Sequence, residues 1–165
     1  MKNEEKTALS ERVQQSFQRL SSTAANLNQV SDKLNASVAG LENSLRKLGL
    51  GIGGWVRISG SNNNDGSYWY EDVGYAKVNG KWGFAIKSGS GHEAADFDKT
   101  EVWAFNDAPR DLRIAAIKKI PDLIEKLNAE AALMASNVAE KIEDVDLLAS
   151  AIGELSSAKT EGKKK

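Results

Sequence analysis

Residues 20–48, with the sequence LSSTAANLNQVSDKLNASVAGLENSLRKL, carry a leucine at every seventh position. An apolar residue that recurs at this spacing returns to one face of an α-helix, so the segment predicts a long helix with a continuous apolar seam. Such a seam has to be buried, because apolar side chains are costly to leave in water. The repeat therefore predicts a protein that assembles or holds a partner. The seam leucines are Leu20, Leu27, Leu34, Leu41 and Leu48.

A second heptad repeat follows Pro109, with Val138, Val145 and Ile152 at position a of the heptad. The positions that flank this seam are apolar as well, so the face is wider than a two-stranded coiled coil needs. We therefore expect this helix to contact more than one neighbour. Pro121 lies near its start and predicts a kink, because proline removes a backbone donor and clashes with the preceding turn.

Between the two repeats the pattern changes to that of β-strands. Apolar and polar residues alternate, and Asn79-Gly80 is a strong signal for a two-residue hairpin turn. The glycine-rich segment 88–91, SGSG, is typical of a loop, and the last strand is expected at 101–105. The middle of the chain therefore predicts a small antiparallel meander of about four strands.

Together these patterns predict an α+β protein in which a small β-meander is carried on two long antiparallel coiled-coil helices. The first helix is expected to begin near Ser10 and to end at the glycines that start with Gly49. The expected segments are a coiled-coil helix at 1–49, a β head at 50–108, a kinked C-terminal helix at 109–155, and a disordered tail at 156–165.

Composition excludes several classes of function. The chain has 22 basic and 23 acidic residues and no cysteine, so disulfides and thiolate chemistry are excluded. The expected head is mildly acidic, which argues against binding to a nucleic-acid polymer. No segment approaches the roughly 20 apolar residues of a membrane span, and the first residues, MKNEEK, have no apolar core like that of a signal peptide. We therefore expect a cytoplasmic protein.

The flanks of the leucine seam carry few charges, although charged flanks are what normally select a coiled-coil partner. Neutral flanks fit two helices that pair within one chain at least as well as a parallel zipper. The wide apolar face of the second helix then predicts that several chains pack together. We expect a homo-oligomer that forms through its helices.

Two arginines, Arg110 and Arg113, lie in the first turn of the second helix, where the helix dipole disfavours cations. Residues three apart share a face, so two guanidinium groups beside free backbone N–H groups could bind an anion. Alternatively, an internal carboxylate such as that of Asp107 or Asp111 neutralises them. The sequence leaves both alternatives open.

The head is rich in aromatic residues, and strand alternation places Tyr68 on one face of the sheet and Trp69 on the other. These residues could be the core of a small sheet, or one face could stack on a planar ligand or meet a partner protein. The candidate binding residues are Arg110, Arg113, Trp69, Tyr68, Trp82 and Arg57.

No catalytic motif, metal site or cofactor is predicted. The single histidine, His92, has no nucleophile or orienting partner at a characteristic spacing, although a hydrolase that uses it stays an alternative. The first hypothesis is a non-enzymatic oligomeric scaffold whose head binds a protein partner. The second is a receptor for a planar, anionic, nucleotide-like ligand that the head aromatics, Arg110 and Arg113 would hold.

Overall fold

The computed structural model describes residues 2–94 and 98–161, and it confirms an α+β fold with a four-stranded antiparallel sheet. The strands follow one another in the order β1-β2-β3-β4, so every connection joins neighbours, as in a meander. The strands are β1 (Gly54–Asn62), β2 (Ser67–Val78), β3 (Lys81–His92) and β4 (Lys99–Ala104). The α-helices are α1 (Lys2–Lys47), α2 (Arg110–Ile117) and α3 (Ile120–Glu161).

Helix α1 begins eight residues before Ser10, because no glycine or proline precedes that residue to stop helix propagation. At its end, the N–H groups of Leu48 and Gly49 donate to the last carbonyl groups of the helix at 3.1 Å. Gly49 then adopts a φ of 61°, the left-handed conformation in which a helix commonly ends. The helix therefore ends where the glycines predict.

The hairpin between β2 and β3 turns at Asn79 and Gly80, as the sequence predicts. Their φ values of 49° and 80° are both positive, which is the type I′ geometry that suits the twist of paired strands. The prediction of a loop at residues 88–91 is wrong. These residues continue β3, and Gly89 and Gly91 pair with Tyr70 and Tyr68 of β2.

The kink that was expected at Pro121 is a complete break. Helix α2 ends at Ile117, and α3 begins at Ile120 with Pro121 as its second residue. A proline is tolerated there because the first N–H groups of a helix have no partner within the helix. Pro121 thus marks the start of a new helix.

The core lies between one face of the sheet and the helices. Val73, Tyr75, Phe84 and Ile86 form the central part of this helix-facing side and are almost completely buried. Helix residues that pack in the same cluster include Val38, Leu112, Ala116, Ile120, Leu123 and Leu127.

Away from the sheet, the apolar faces of both long helices are exposed within the single chain. Leu20 is 63 % exposed and Leu148 is also 63 % exposed, whereas Leu34 packs against the core. The side-by-side coiled coil of α1 and α3 therefore stays a prediction. Helix α3 runs to Glu161 and so includes the first part of the tail that was expected to be disordered, since residues 156–161 contain neither glycine nor proline. Residues 162–165 lie outside the described residues.

Candidate functional site

Arg110 and Arg113 point at helix α1. Arg110 donates to the Asn28 side-chain oxygen at 3.0 Å. Arg113 donates to the Asn35 side-chain oxygen and, at 3.5 Å, to the Ser31 hydroxyl. Both acceptors of Arg113 are neutral side chains of α1, where the sequence suggests a carboxylate, and the binding of an external anion stays a prediction. The two arginines instead attach α1 to α2.

This attachment has an electrostatic cost. Arg113 is only 8 % exposed, and its Nε atom has no hydrogen-bond partner among the described residues. A buried guanidinium without a counter-charge depends on every acceptor that it retains. Sequence reasoning missed Asn28, Ser31 and Asn35, although these polar residues recur every three to four positions along one side of α1.

The other candidate residues lie on two different faces of the sheet. Trp82 and Trp69 lie on the helix-facing side, whereas Tyr68 and Arg57 lie on the opposite side, here called the open face. Helix α2, which carries Arg110, packs on the helix-facing side. The predicted site residues are therefore not brought together in one pocket.

On the open face, large aromatic side chains cover glycines of the neighbouring strand. Trp55 lies over Gly74, and Tyr70 lies over Gly89, so a Cβ atom at either glycine would overlap the ring. An aromatic ring that packs on a cross-strand glycine shields backbone that would otherwise be exposed. The open face is thus built from close ring-to-backbone contacts.

Ion pairs and cation–ring contacts connect these aromatic residues. We call the group of Trp55, Arg57, Tyr70, Asp72 and Lys87 the open-face cluster. The Asp72 carboxylate lies 2.6 Å from Arg57 Nε and 3.3 Å from Lys87 Nζ. Lys87 Nζ lies 4.6 Å from the centre of the Trp55 ring, and the Arg57 guanidinium lies 4.7 Å from that of Tyr70. Cations over ring faces are stabilised by the ring quadrupole. The Arg57 side chain of this cluster is 57 % exposed, whereas the side chain of Lys87 is 23 % exposed.

Beyond this cluster, a hydrogen bond to the Asp98 carboxylate raises the pKa of Tyr68 to about 12. His92 is the last residue of β3, and its Nδ1 atom accepts a hydrogen bond from the backbone N–H of Ala94 at 3.1 Å. Hydrogen bonds from Ser67 lower the pKa of Asp65 in the nearby turn. Through these contacts, Asp65 stabilises the turn before β2, and His92 stabilises the chain that follows β3.

A cleft of about 340 Å³ lies where the end of α1 meets the β2–β3 hairpin. Its lining includes Glu42, Arg46, Lys81 and Trp82, and Arg46, Lys81 and Trp82 also line an adjacent space. Trp82 stacks on Tyr75 with ring centres 5.6 Å apart. Two cations thus flank an aromatic side chain. Sequence reasoning named Trp82 and missed both cations: Arg46 lies in α1, far from Trp82 in the sequence, and Lys81 directly precedes Trp82 at the start of β3.

Glu42 closes one side of this cleft. Its carboxylate accepts a hydrogen bond of 2.7 Å from the Phe84 backbone N–H. The pairing of β3 with β4 starts at Ala85, so Phe84 lies just outside that pairing. Burial raises the pKa of Glu42, although this hydrogen bond and the nearby Arg46 both act to lower it. Glu42 therefore joins α1 to the sheet edge at the cost of burying a carboxylate.

The predicted seam residues form apolar surfaces on the two long helices. On α1, Val13, Phe17 and Leu20 are between 59 % and 68 % exposed. On α3, Val138, Val145 and Ile152 are between 51 % and 64 % exposed. Shallow depressions, lined mainly by apolar side chains, lie along both surfaces. Much of the apolar seam thus stays exposed on both long helices within the described residues.

Across residues 2–94 and 98–161, no group of three or more potential metal-ligating side chains is found. Within the same residues, no helix is long and apolar enough to cross a membrane. Comparisons of the chain with protein-family models, with curated proteins and with solved structures find no match.

Proposed function

We propose that the chain is a non-enzymatic, cytoplasmic scaffold, in which α1 and α3 assemble several copies and the head presents its open face to a protein partner. The observation that carries this proposal is the exposure of the apolar seams. Of the twenty large apolar side chains that are exposed among the described residues, sixteen lie on α1 or α3. Continuous apolar surfaces of this kind are typical of interfaces.

The open-face cluster supports the second half of the proposal. Aromatic residues and arginine are enriched in protein interfaces, since they combine a large apolar area with directional polar contacts. Trp55, Tyr70 and Arg57 provide these groups on a rigid sheet, so little side-chain entropy remains to be lost when a partner binds. The helices would thus set the spacing of several identical binding faces.

Substitution of the seams tests the assembly. A chain with Leu20→Lys and Val145→Lys should sediment at a lower molar mass than the wild type at the same concentration, because two charges would enter the apolar interface. Ile114→Lys is the matched control, since Ile114 is 56 % exposed on α2 and lies on neither seam. Equal sedimentation of the seam variant and the wild type would contradict assembly through these faces.

The cleft beside Trp82 favours a second candidate function, binding of a planar anion such as a nucleotide. Its flanking cations are Arg46 and Lys81, in place of the Arg110 and Arg113 that the sequence suggests. Nucleotides should then raise the thermal unfolding temperature of the wild type. Arg46→Ala and Lys81→Ala should abolish the increase, and Lys118→Ala, which changes an exposed residue outside the lining of the cleft, should retain it. The absence of any shift with anionic ligands would remove this candidate.

A further inference from the structure

The outer parts of the two long helices carry charges of opposite sign. Residues 6–30, here called distal α1, contain three basic residues and one acidic residue. Residues 128–153, here called distal α3, contain one basic residue and five acidic residues. Two copies of distal α3 that packed together would repel each other, whereas distal α1 and distal α3 attract each other.

The charges nearest the seams also indicate whether the two helices pair parallel or antiparallel. When Leu20 and Leu148 take heptad position d, Arg12 and Arg19 fall at position c, and Glu130 and Asp144 fall at position g. Positions c and g lie on the same side of d around the helix. When two helices pack through their seams, the c and g side of one helix faces the c and g side of the other only if the helices are antiparallel. The basic and acidic flanks therefore meet in an antiparallel pair.

Within one chain, neither of these faces is covered. Phe17 of distal α1 is 68 % exposed, and Val145 of distal α3 is 60 % exposed. A partner from outside the chain can cover both faces, and a second copy supplies both complementary faces at once. A symmetric dimer of this kind contains the same helix pair twice.

We propose that distal α1 of one copy packs antiparallel on distal α3 of a second copy, and reciprocally. This inference rests on the proposed assembly through the helices and specifies the partner surface. It explains why the flanks of the leucine seam are mainly neutral: a few charges at c and g are enough to distinguish an α1–α3 pair from the two pairs of like helices.

Charge reversal on each helix tests this pairing. One variant carries Arg12→Glu and Arg19→Glu, and the other carries Glu130→Lys and Asp144→Lys. In the proposed pair, each variant alone places like charges along both interfaces, so its dissociation constant at low salt should rise about tenfold. An equimolar mixture restores opposite charges in both interfaces, so it should associate about as tightly as the wild type. Sedimentation velocity measures all of these species.

The outcomes separate the inference from the proposed function. If the wild type itself stays a monomer at tens of micromolar, both the assembly and this pairing are wrong. If the wild type assembles and the Glu130→Lys, Asp144→Lys variant alone associates as tightly or more tightly, α3 pairs with α3 and only the pairing is wrong. If the Arg12→Glu, Arg19→Glu variant alone associates as tightly as the wild type, α1 does not face α3.

A mixture that stays as weak as its two components also overturns the pairing, because helices that pair within one chain cannot exchange charges between chains. The control variant carries Lys77→Glu and Lys118→Glu at exposed positions outside both distal segments, and it lowers the net charge by the same amount as Arg12→Glu with Arg19→Glu. It should associate like the wild type. Circular dichroism of every variant should retain the wild-type helix signal, which shows that the charge reversals leave the helices folded.

Discussion

The parts of α1 and α3 near the sheet and the distal parts share one heptad pattern but differ in burial. Val38 and Phe17 both occupy position a of α1, yet Val38 is 2 % exposed and Phe17 is 68 % exposed. Leu127 and Leu148 differ similarly at position d of α3. The heptad pattern specifies that a face has to be covered, and it leaves open what covers it. Near the head, the sheet covers the part of this face that includes Val38 and Leu127, although Leu41 stays 48 % exposed; in the distal parts, we propose that a second copy covers it.

The same substitution at position d in the two parts of α3 should give the largest difference. Leu127→Ala removes a fully packed side chain and should lower the free energy of unfolding by about 2–5 kcal/mol. Leu148→Ala should change it by less than about 0.5 kcal/mol in dilute solution, where the chain is dissociated. Urea unfolding followed by tryptophan fluorescence measures both, since all four tryptophans lie in the head. Equal costs would show that the distal face is already buried within one chain.

The asparagines of α1 should show a smaller difference of the same kind. Asn35→Ala removes an acceptor from the buried Arg113 and should cost about 1–3 kcal/mol, because an unsatisfied buried charge remains. Asn28→Ala removes the partner of Arg110 in a more exposed contact and should cost less than about 1 kcal/mol. Urea unfolding at pH 7 is the measurement. If Asn28→Ala costs more than Asn35→Ala, the account of the α1–α2 attachment is wrong.

Substitution of two glycines by alanine should have opposite effects on stability in the packed head and on the open surface of α1. Gly89→Ala places a Cβ atom against the Tyr70 ring and should destabilise the chain by about 1–3 kcal/mol. A Cβ atom at Gly40 in α1 meets no other atom within 4 Å, so Gly40→Ala should stabilise the chain by about 0.5–1 kcal/mol. Thermal unfolding of the two variants should therefore shift in opposite directions. Shifts in the same direction would contradict the ring-over-glycine packing or the open helix surface.

Glu42 should make a pH-dependent contribution where α1 meets the sheet. Because burial raises its pKa, the folded chain binds this proton more tightly than the unfolded chain does. Stability from protonated Glu42 is present below the ordinary glutamate pKa and is lost as the pH rises through the raised value.

Glu42→Gln keeps an acceptor for the Phe84 N–H and should remove this loss. The variant should gain stability relative to the wild type as the pH rises from the ordinary glutamate pKa toward neutrality. Urea unfolding across this pH range measures the difference between the two chains. A constant difference would show that Glu42 does not titrate with a raised pKa.

The α+β class, the hairpin at Asn79-Gly80 and the four-stranded meander could be predicted, because each follows from a local pattern. The extension of β3 through residues 88–91 could not, because SGSG is a loop signal in isolation. It becomes a strand when Tyr68 and Tyr70 of the adjacent strand cover its glycines, and that pairing depends on the sheet register.

The roles of Arg110 and Arg113 were beyond sequence reasoning for a related physical reason. A guanidinium group suggests a negative partner, but the acceptors here are neutral side chains about 80 residues away in the sequence. Pro121 was misinterpreted because a proline inside a heptad pattern is compatible with both a kink and a new helix start. Tertiary packing decides between them.

The molar mass of the wild-type chain in solution tests the central claim most directly. Light scattering at tens of micromolar should give at least twice the chain mass of 17.8 kDa, and the value should fall toward 17.8 kDa on dilution. A mass of 17.8 kDa throughout that concentration range would contradict the claim that a second copy covers the distal faces of α1 and α3.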